Sequence, residues 1–203
     1  ENEIQNSSFE SIKIELELFN IFVEQIVSIG NQVLKIASSI SELDISIMGA
    51  NHAKARNYVR PTISNTKILE IIEGRHPVVE NQMMFSENSF ISNDCVLKKN
   101  DYMWLITGPN MAGKSTYLRQ NALIVIMAQA GLYVPAKKAN IGIFDKIFSR
   151  VGASDDLAKG QSTFMIEMIE TSAILNTSTD KSLVILDEIG RGTATFDGLA
   201  IAW

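Results

Sequence analysis

The amino-acid sequence predicts an α/β fold, a mixed sheet flanked by helices, preceded by an α-helical segment. Three observations support this prediction. Apolar residues recur at helical spacing between Ser8 and Tyr58, a stretch without proline. From Ile68 onward, short apolar runs are separated by glycine, proline and polar residues, as in a succession of strands. A glycine-containing loop then joins one apolar run to a helical stretch that begins near Gly113.

Composition limits the kind of protein this chain can be. It has 203 residues, 46% of them hydrophobic and 20% charged, so one or two domains with a packed core are expected. The net charge of −5 argues against a chain whose main surface binds nucleic-acid phosphates through bulk charge. Cys95 is the only cysteine, which excludes an intramolecular disulfide and fits an intracellular protein. The N-terminus does not resemble a signal peptide, and no apolar stretch is long enough to cross a bilayer.

The N-terminal segment carries an apolar stripe close to a heptad seam. Its members alternate in steps of four and three residues: Ile12, Leu16, Phe19, Val23 and Ile26. Gly30-Asn31 predicts a break or a C-cap, which leaves open two helices or one long helix with a kink, and Pro61 ends the helical part. Two interpretations of the segment remain open: a helical pair that packs on the next domain, and a rigid strut that transmits motion.

The residues after Pro61 predict short strands, antiparallel or mixed, that lead toward the glycine-containing loop. The predicted strand material lies at residues 68–72, 78–79, 90–91, 95–97 and 102–106. Arg75-His76-Pro77 is a polar cluster between apolar runs, and we interpret it as a turn with hydrogen-bonding side chains.

The loop from Gly108 to Ser115 fits the phosphate-loop pattern of Gly, four residues, Gly-Lys-Ser/Thr. Its context is the one that this motif requires, because Tyr102–Ile106 predicts a buried strand before it and a helix is expected from about Gly113. Backbone N–H groups of such a loop converge on one point, and the helix N-terminus adds a partial positive charge. Lys114 can reach β- and γ-phosphates, and Ser115 can ligate Mg²⁺. These features predict that the chain binds a nucleoside triphosphate.

A second chemical motif lies about 70 residues downstream. Residues 183–186 predict a buried parallel strand that delivers Asp187 and Glu188 at its C-terminal end, beside the phosphate loop. Asp187 would hold the Mg²⁺ shell, and Glu188 would orient or deprotonate the water that attacks the γ-phosphate. A glycine-rich loop, residues 189–198, follows this motif.

Between the two motifs we predict a strand region, a loop and a helix. Residues 141–151 predict strand material, and the polar loop at residues 152–161 is expected to be mobile without a partner chain. Ser162-Thr163 opens a helix that carries Glu167 and Glu170. Its predicted apolar face consists of Phe164, Met168, Ile174 and Leu175.

Several stretches between residues 68 and 203 carry a family resemblance. They are Thr107–Gln120, Gly152–Asp156, Ser162–Met165 with Glu167-Met168, and Leu186–Thr193 with Thr195–Gly198. Together they resemble the ATPase domain of the MutS family of DNA mismatch-repair proteins. Residues 73–79 resemble the strand that opens that domain, and the N-terminal helices would correspond to the end of its lever segment.

The resemblance implies a P-loop NTPase of the ABC-ATPase type at residues 61–203, truncated at its C-terminus, after a helical lever or connector segment at residues 1–60. It implies ATP and Mg²⁺ as cofactors and a homodimer with two composite nucleotide sites at its interface. Ser162 would reach the γ-phosphate bound to the opposite subunit, and its side chain can also serve as an N-cap of the helix. Asp197 matches the interface loop after the acidic strand.

The resemblance also assigns the remaining site residues. Phe90 would stack on adenine, Ile91 would contact it through its backbone, and Asn110 would lie near the γ-phosphate and the attacking water. Glu188, Asn110 and Lys114 are then the catalytic residues, and Ser115 and Asp187 the metal ligands. The expected nucleotide-binding set is Gly108, Pro109, Asn110, Met111, Ala112, Gly113, Lys114, Ser115, Thr116, Phe90, Ile91 and Ser162.

Expected partners are mismatched double-stranded DNA, bound through domains outside this chain, and a downstream repair protein of the MutL type, with no membrane. The expected location is the bacterial cytosol, associated with the nucleoid. Two alternatives stay open. One is another ABC-type ATPase, such as a transporter subunit, which Gly160–Met165 disfavours because it replaces the Leu-Ser-Gly-Gly-Gln signature. The other is a nucleotide-binding module without efficient turnover, because the family's switch histidine is not found before Trp203.

Overall fold

The structure, a computed structural model, describes residues 2–83, 89–98, 101–109, 111–151, 163–190 and 193–202. The chain divides into two units, residues 1–51 and 52–203. The predicted domain boundary at residues 60 and 61 stays a prediction. No helix in the described ranges is long and apolar enough to cross a membrane.

The first helix, α1, extends from Asn2 to Arg56 and passes through Gly30 and Asn31 without interruption. The predicted break or C-cap at these residues is therefore wrong, and so is the alternative of two helices. A single glycine costs a helix interior only about 1 kcal/mol relative to alanine, which a long helix tolerates. The apolar stripe is exposed along the described part of α1: Ile12, Leu16, Phe19, Val23 and Ile26 are each between 40% and 64% exposed.

The described strands form two sheets. A mixed sheet of order β1-β4-β2-β3 has β1 parallel to β4, and β2 antiparallel to both β3 and β4. Its strands are Thr62–Ser64 (β1), Leu69–Gly74 (β2), Asn93–Leu97 (β3) and Lys138–Gly142 (β4). A second sheet pairs Ile147–Arg150 (β5) in parallel with Leu183–Leu186 (β6). The expectation of a mixed α/β arrangement with a parallel acidic strand is confirmed.

The helix after the phosphate loop, α3, extends from Lys114 to Gln129 and contributes to one core with both sheets. Ile124 and Val125 are fully buried in this core, together with Ile71 of β2, Ile141 of β4 and, at 5% exposure, Ile185 of β6. Burying an aliphatic side chain of this size stabilises the fold by about 1.5–3 kcal/mol, so α3 and both sheets depend on one another. The remaining helices are Pro77–Met83 (α2), Thr163–Thr177 (α4) and Thr195–Ala202 (α5).

The run before the phosphate loop, Tyr102–Ile106, is not a buried strand, and that prediction is wrong. In the described residues it pairs with neither sheet. Tyr102, Met103 and Leu105 are 79% to 88% exposed. Apolar composition indicates that a segment favours burial, but a strand forms only where neighbouring strands satisfy its backbone hydrogen bonds.

Val78-Val79 is also not a strand, because it lies in α2. His76 Nδ1 accepts hydrogen bonds from the N–H groups of Val78 and Val79, each at 3.3 Å. Pro77 occupies the first helical position, which suits its fixed φ. The side-chain cap therefore outweighs the β propensity of two valines. The predicted hydrogen-bonding side chains at residues 75–77 are present, but Pro77 begins a helix rather than completing a turn.

Two burial predictions are only partly correct. β6 buries Leu183 and Ile185, whereas Val184 and Leu186 are 38% and 40% exposed, so the strand covers the core with one face only. Along α4, Ile174 is buried but Leu175 is 72% exposed. Periodicity identified the strand and the helix, but only the packing partners set which positions are covered.

Candidate nucleotide-binding site

The phosphate loop ends at Gly113, whose φ of 89° is left-handed and favours glycine. Gly113 is the N-cap of α3, and its carbonyl accepts the first helical hydrogen bond from the Tyr117 N–H at 2.8 Å. The prediction that a helix begins at about Gly113 is confirmed. Met111 also has a left-handed φ of 67° and is fully exposed, while the Ala112 N–H donates to Pro109 O at 3.3 Å.

Lys114 directs its ammonium group back over the loop. Its Nζ donates to Gly108 O at 2.7 Å and to Pro109 O at 3.0 Å. The charge therefore lies beside the backbone that forms the loop and next to the N-terminus of α3, where two sources of positive potential add. Thr116 follows in the first turn of this helix.

Ser115 and Asp187 come together although 72 residues separate them. Ser115 Oγ donates a short hydrogen bond to Asp187 Oδ2. Asp187 follows the last residue of β6, and its N–H donates to Arg150 O at 2.8 Å at the end of β5. The parallel pairing of β5 with β6 thus fixes where the Asp187 carboxylate meets the first turn of α3. A hydroxyl and a carboxylate oxygen are hard ligands of the kind that Mg²⁺ takes alongside substrate phosphates.

This pair is a small ligand set, and it suits Mg²⁺ for that reason. Among the described residues, no group of three or more His, Cys, Asp or Glu side chains could hold a metal ion. Mg²⁺ in phosphoryl-transfer sites is usually bound by one or two carboxylates together with phosphate oxygens and water. The donors Ser115 and Asp187 fit that pattern.

Glu188 is exposed and has a left-handed φ of 53°. A non-glycine residue in this region costs about 1–2 kcal/mol, so the surrounding structure must impose the conformation. The backbone is held on both sides of Glu188. Before it, the Asp187 N–H donates to Arg150 O of β5. Two residues after it, the Gly190 N–H donates to Oε1 of Glu167, a buried side chain of α4. The backbone turn therefore presents the Glu188 side chain from a position that two elements determine.

Glu167 is the residue to which sequence reasoning assigned no role. It belongs to a motif that carries the resemblance, but its partner lies 23 residues away across α4 and β6. Local periodicity places a carboxylate on a helix and cannot identify a tertiary hydrogen bond. The sequence signal that pointed to it was only its place one turn after the start of the helix.

Phe90 and Ile91 lie ahead of β3. Phe90 is half-buried, Ile91 is 81% exposed, and Ile91 O accepts a hydrogen bond from Asn93 Nδ2 at 2.9 Å. Tyr117 of α3 donates its hydroxyl proton to Asp94 O at 2.8 Å, which links the start of β3 to the first turn of the phosphate-loop helix. The proposed adenine residues thus precede a strand that is hydrogen-bonded to that helix.

Cys95 lies beside Tyr117 in the core rather than in the site. Burial raises the pKa of the Cys95 thiol, opposed by a hydrogen bond to Tyr117. Burial is also the main cause that raises the pKa of Tyr117. Both groups therefore stay protonated near neutral pH, and Cys95 packs in the core as a small apolar residue.

Comparisons with known proteins agree with the motifs. A family model described as MutS domain V matches residues 104–203. Over 203 residues the chain is 53% identical to a protein of Rickettsia prowazekii (strain Madrid E) named DNA mismatch repair protein MutS, covering 100% of this chain. It is 53% identical over 209 aligned positions to the protein of the same name from Rhizobium meliloti (strain 1021), again covering 100% of this chain. This chain belongs to the MutS family. It spans 23% of the length of each of these relatives.

Membership in the MutS family sets aside the transporter-subunit alternative. The MutS domain V match contains the phosphate loop, Glu167, Asp187 and Glu188, whereas Phe90 and Ile91 precede it. Asn110, Ser162 and the loop at residues 152–161 lie outside the described residues. Their predicted roles, and the predicted mobility of that loop, stay predictions.

Proposed function

We propose that this chain is the ATP-binding and ATP-hydrolysing part of a DNA mismatch-repair protein, with a P-loop fold of the ABC-ATPase type at residues 61–203 and a helical connector at residues 1–60. The observation that supports the proposal most directly is the contact between Ser115 Oγ and Asp187 Oδ2. It brings the Ser115 hydroxyl in the first turn of α3 next to the Asp187 carboxylate that follows β6, and these are the two kinds of group that hold Mg²⁺ in P-loop NTPases.

Binding of the triphosphate falls to the loop and its lysine. Lys114 would exchange its contacts with Gly108 O and Pro109 O for contacts with β- and γ-phosphate oxygens. Backbone N–H groups between Gly108 and Ser115 would donate to the remaining phosphate oxygens, assisted by the dipole of α3. Phe90 would stack on the adenine, with Ile91 contacting it through its backbone.

Ser115 and Asp187 would hold Mg²⁺, which supplies a positive charge that neutralises negative charge developing on the phosphates. Glu188 accepts a proton from the attacking water, and the water oxygen forms a bond to the γ-phosphorus. The bond between that phosphorus and the β,γ-bridging oxygen breaks, which leaves ADP and phosphate. Asn110 would lie near the γ-phosphate and orient the water.

In the longer protein, ATP state and dimerisation would be coupled to the binding of mismatched DNA. Ser162 would contact the γ-phosphate of the opposite subunit in a homodimer, and a repair protein of the MutL type would act downstream. We propose the bacterial cytosol, in association with the nucleoid, as the location; the bacterial origin of the relatives and their naming for DNA mismatch repair support this proposal.

A magnesium titration of ATP turnover tests the central contact. In the full-length polypeptide that contains this chain, Asp187→Asn should lower kcat by about 100-fold or more and raise the Mg²⁺ concentration needed for half-maximal rate. Asp180→Asn is the matched control, because Asp180 is 71% exposed and pairs with Lys67 on the surface. Equal magnesium dependence in wild type and Asp187→Asn would contradict the proposal.

The coupling to DNA needs a second measurement. ATP turnover and sedimentation of the full-length polypeptide should both change when mismatched duplex is added, and change less with a perfectly paired duplex of the same length. A rate and a sedimentation profile that ignore the mismatch would remove the repair assignment while leaving the ATPase assignment in place.

For the isolated chain, a second candidate function is nucleotide binding without efficient turnover. Tyr102, Met103 and Leu105, in the run that leads into the phosphate loop, are exposed and take no part in either described sheet. A loop whose leading segment lacks sheet partners is less rigidly placed, and phosphoryl transfer depends on positioning. The 203-residue chain should therefore bind ATP in an equilibrium titration and hydrolyse it more slowly than the full-length polypeptide.

A further inference from the structure

Glu167 is a buried carboxylate that the proposed reaction does not use. It lies on the second turn of α4 with 6% of its surface exposed. Burying a carboxylate is costly unless hydrogen bonds compensate it, and in the described part of the chain Glu167 has no ion pair. Its Oε1 instead accepts a short, charge-assisted hydrogen bond from the Gly190 N–H.

Gly190 is a backbone position that cannot move freely. Its φ is 81°, and a Cβ there would lie 2.8 Å from Gly198 Cα and 2.9 Å from Gly198 O. The turn after β6 is thus in contact with α5 on one side and with the Glu167 carboxylate of α4 on the other. The other end of the turn is fixed by the hydrogen bond from the Asp187 N–H to Arg150 O.

Glu188 lies between these two fixed points and holds a left-handed φ of 53°. A residue in that region returns to the ordinary negative-φ region when its neighbours are released, because the left-handed conformation is unfavourable by itself. The hydrogen bond to Gly190 is therefore one of the contacts that keep the Glu188 backbone, and with it the direction of the Glu188 side chain.

We propose that Glu167 is a positioning residue that orients Glu188 for hydrolysis by binding the Gly190 amide, which makes the rate of the chemical step depend on the placement of α4. This inference rests on the proposed ATPase function. α4 is itself joined to β5 by Arg150, whose Nε lies 2.9 Å from Glu170 Oε2 as a charge contact rather than an aligned hydrogen bond. A displacement of α4 relative to β6 would be transmitted to the backbone beside Glu188.

The test compares three variants in the full-length polypeptide. Glu167→Met keeps the length of the side chain and removes the acceptor, whereas Glu167→Gln keeps an acceptor oxygen at the same position. Asp180→Asn is the matched control, because it removes a carboxylate that is 71% exposed, lies outside α4 and pairs with Lys67 on the surface. For each variant we would measure the kcat of ATP hydrolysis, the Kd for ATP and the hydrogen-exchange rate of the Gly190 amide.

We expect Glu167→Met to lower kcat by about 10-fold or more, with the Kd for ATP changed by less than about 3-fold. Its Gly190 amide should exchange faster than in wild type, and Glu167→Gln should restore both kcat and protection. A kcat for Glu167→Met equal to that of wild type would overturn the inference. So would a parallel loss of kcat and ATP affinity that Glu167→Gln does not restore, since that pattern indicates general disruption.

The result also separates this inference from the function on which it rests. A wild-type polypeptide that binds ATP but never turns it over contradicts the proposed ATPase and, with it, any catalytic role for Glu167. Normal turnover in wild type together with normal turnover in Glu167→Met contradicts the inference alone.

Discussion

Substitution of Gly198 by alanine should slow ATP turnover more than it weakens ATP binding. A Cβ at position 198 would lie 2.6 Å from Gly190 O. Ordinary contacts begin at 3.4 Å, so the two segments must separate by 0.8 Å, the difference between 3.4 and 2.6 Å. The opposing atom belongs to the backbone, so no side-chain rotation can relieve the overlap.

The size of the effect follows from where the displaced segment lies. Gly190 is two residues from Glu188, so a shift of that size reaches the group that handles the attacking water. Misplacing a reacting group by about 1 Å can cost about 100-fold in rate, and we therefore expect kcat to fall by about 10- to 100-fold. Overpacking should also lower the free energy of unfolding by about 1–3 kcal/mol.

The assay is single-turnover ATP hydrolysis by the full-length polypeptide, with equilibrium ATP binding measured in parallel. Gly30→Ala is the matched control, because it adds the same methyl group inside a helix where nothing lies within 4 Å of the new Cβ. That control should keep the wild-type kcat. A folded Gly198→Ala protein with the wild-type kcat would refute the view that contact between Gly190 and Gly198 sets the geometry at Glu188.

Three further predictions concern single side chains. Lys114→Ala should weaken ATP binding by about 10- to 100-fold in a titration, because it removes charge-assisted hydrogen bonds to phosphate, while Lys137→Ala on the exposed surface should not. Glu188→Gln should retain bound ATP and lose turnover in a single-turnover assay, and undiminished turnover would remove Glu188 from the role of base. Burial lowers the pKa of His76, so the unfolded chain takes up a proton first and the free energy of unfolding should fall as pH drops below about 6.5. Urea unfolding at several pH values should show a weaker dependence in His76→Asn, which keeps a capping acceptor and does not titrate; an unchanged slope would contradict this assignment.

Much of the site could be predicted because its signals are local. A loop with glycines at fixed positions, followed by Lys114 and Ser115, determines a phosphate cradle and a helix start within a few residues, and the structure places α3 where the pattern indicates. An apolar, β-branched run followed by Asp187 predicts a parallel strand whose C-terminal end lies beside the phosphate loop. The structure contains this parallel strand and the contact between Asp187 and Ser115. The loop and the helix start depend on neighbours along the chain, whereas the contact between Ser115 and Asp187 follows from the rule that ligand-binding residues gather at the carboxyl ends of parallel strands.

Two errors arise where opposing local signals are of similar strength. The valines at residues 78 and 79 favour a strand by propensity, yet the His76 cap makes them helical. Gly30-Asn31 has the composition of a helix end, yet α1 continues through it. In both places the competing local preferences differ by only about 1 kcal/mol or less, so composition alone does not decide between them.

By itself the sequence determined the phosphate loop, the helix that follows it, the acidic strand and the family to which the chain belongs. Only the tertiary structure decided that Tyr102–Ile106 is unpaired in the described residues, that Gly198 contacts Gly190, and that Glu167 binds the Gly190 amide. The physical reason is the range of the interactions. Backbone conformation and helix capping act over a few residues, whereas strand pairing, close backbone approach and a buried carboxylate's hydrogen bond exist only after distant segments have packed together.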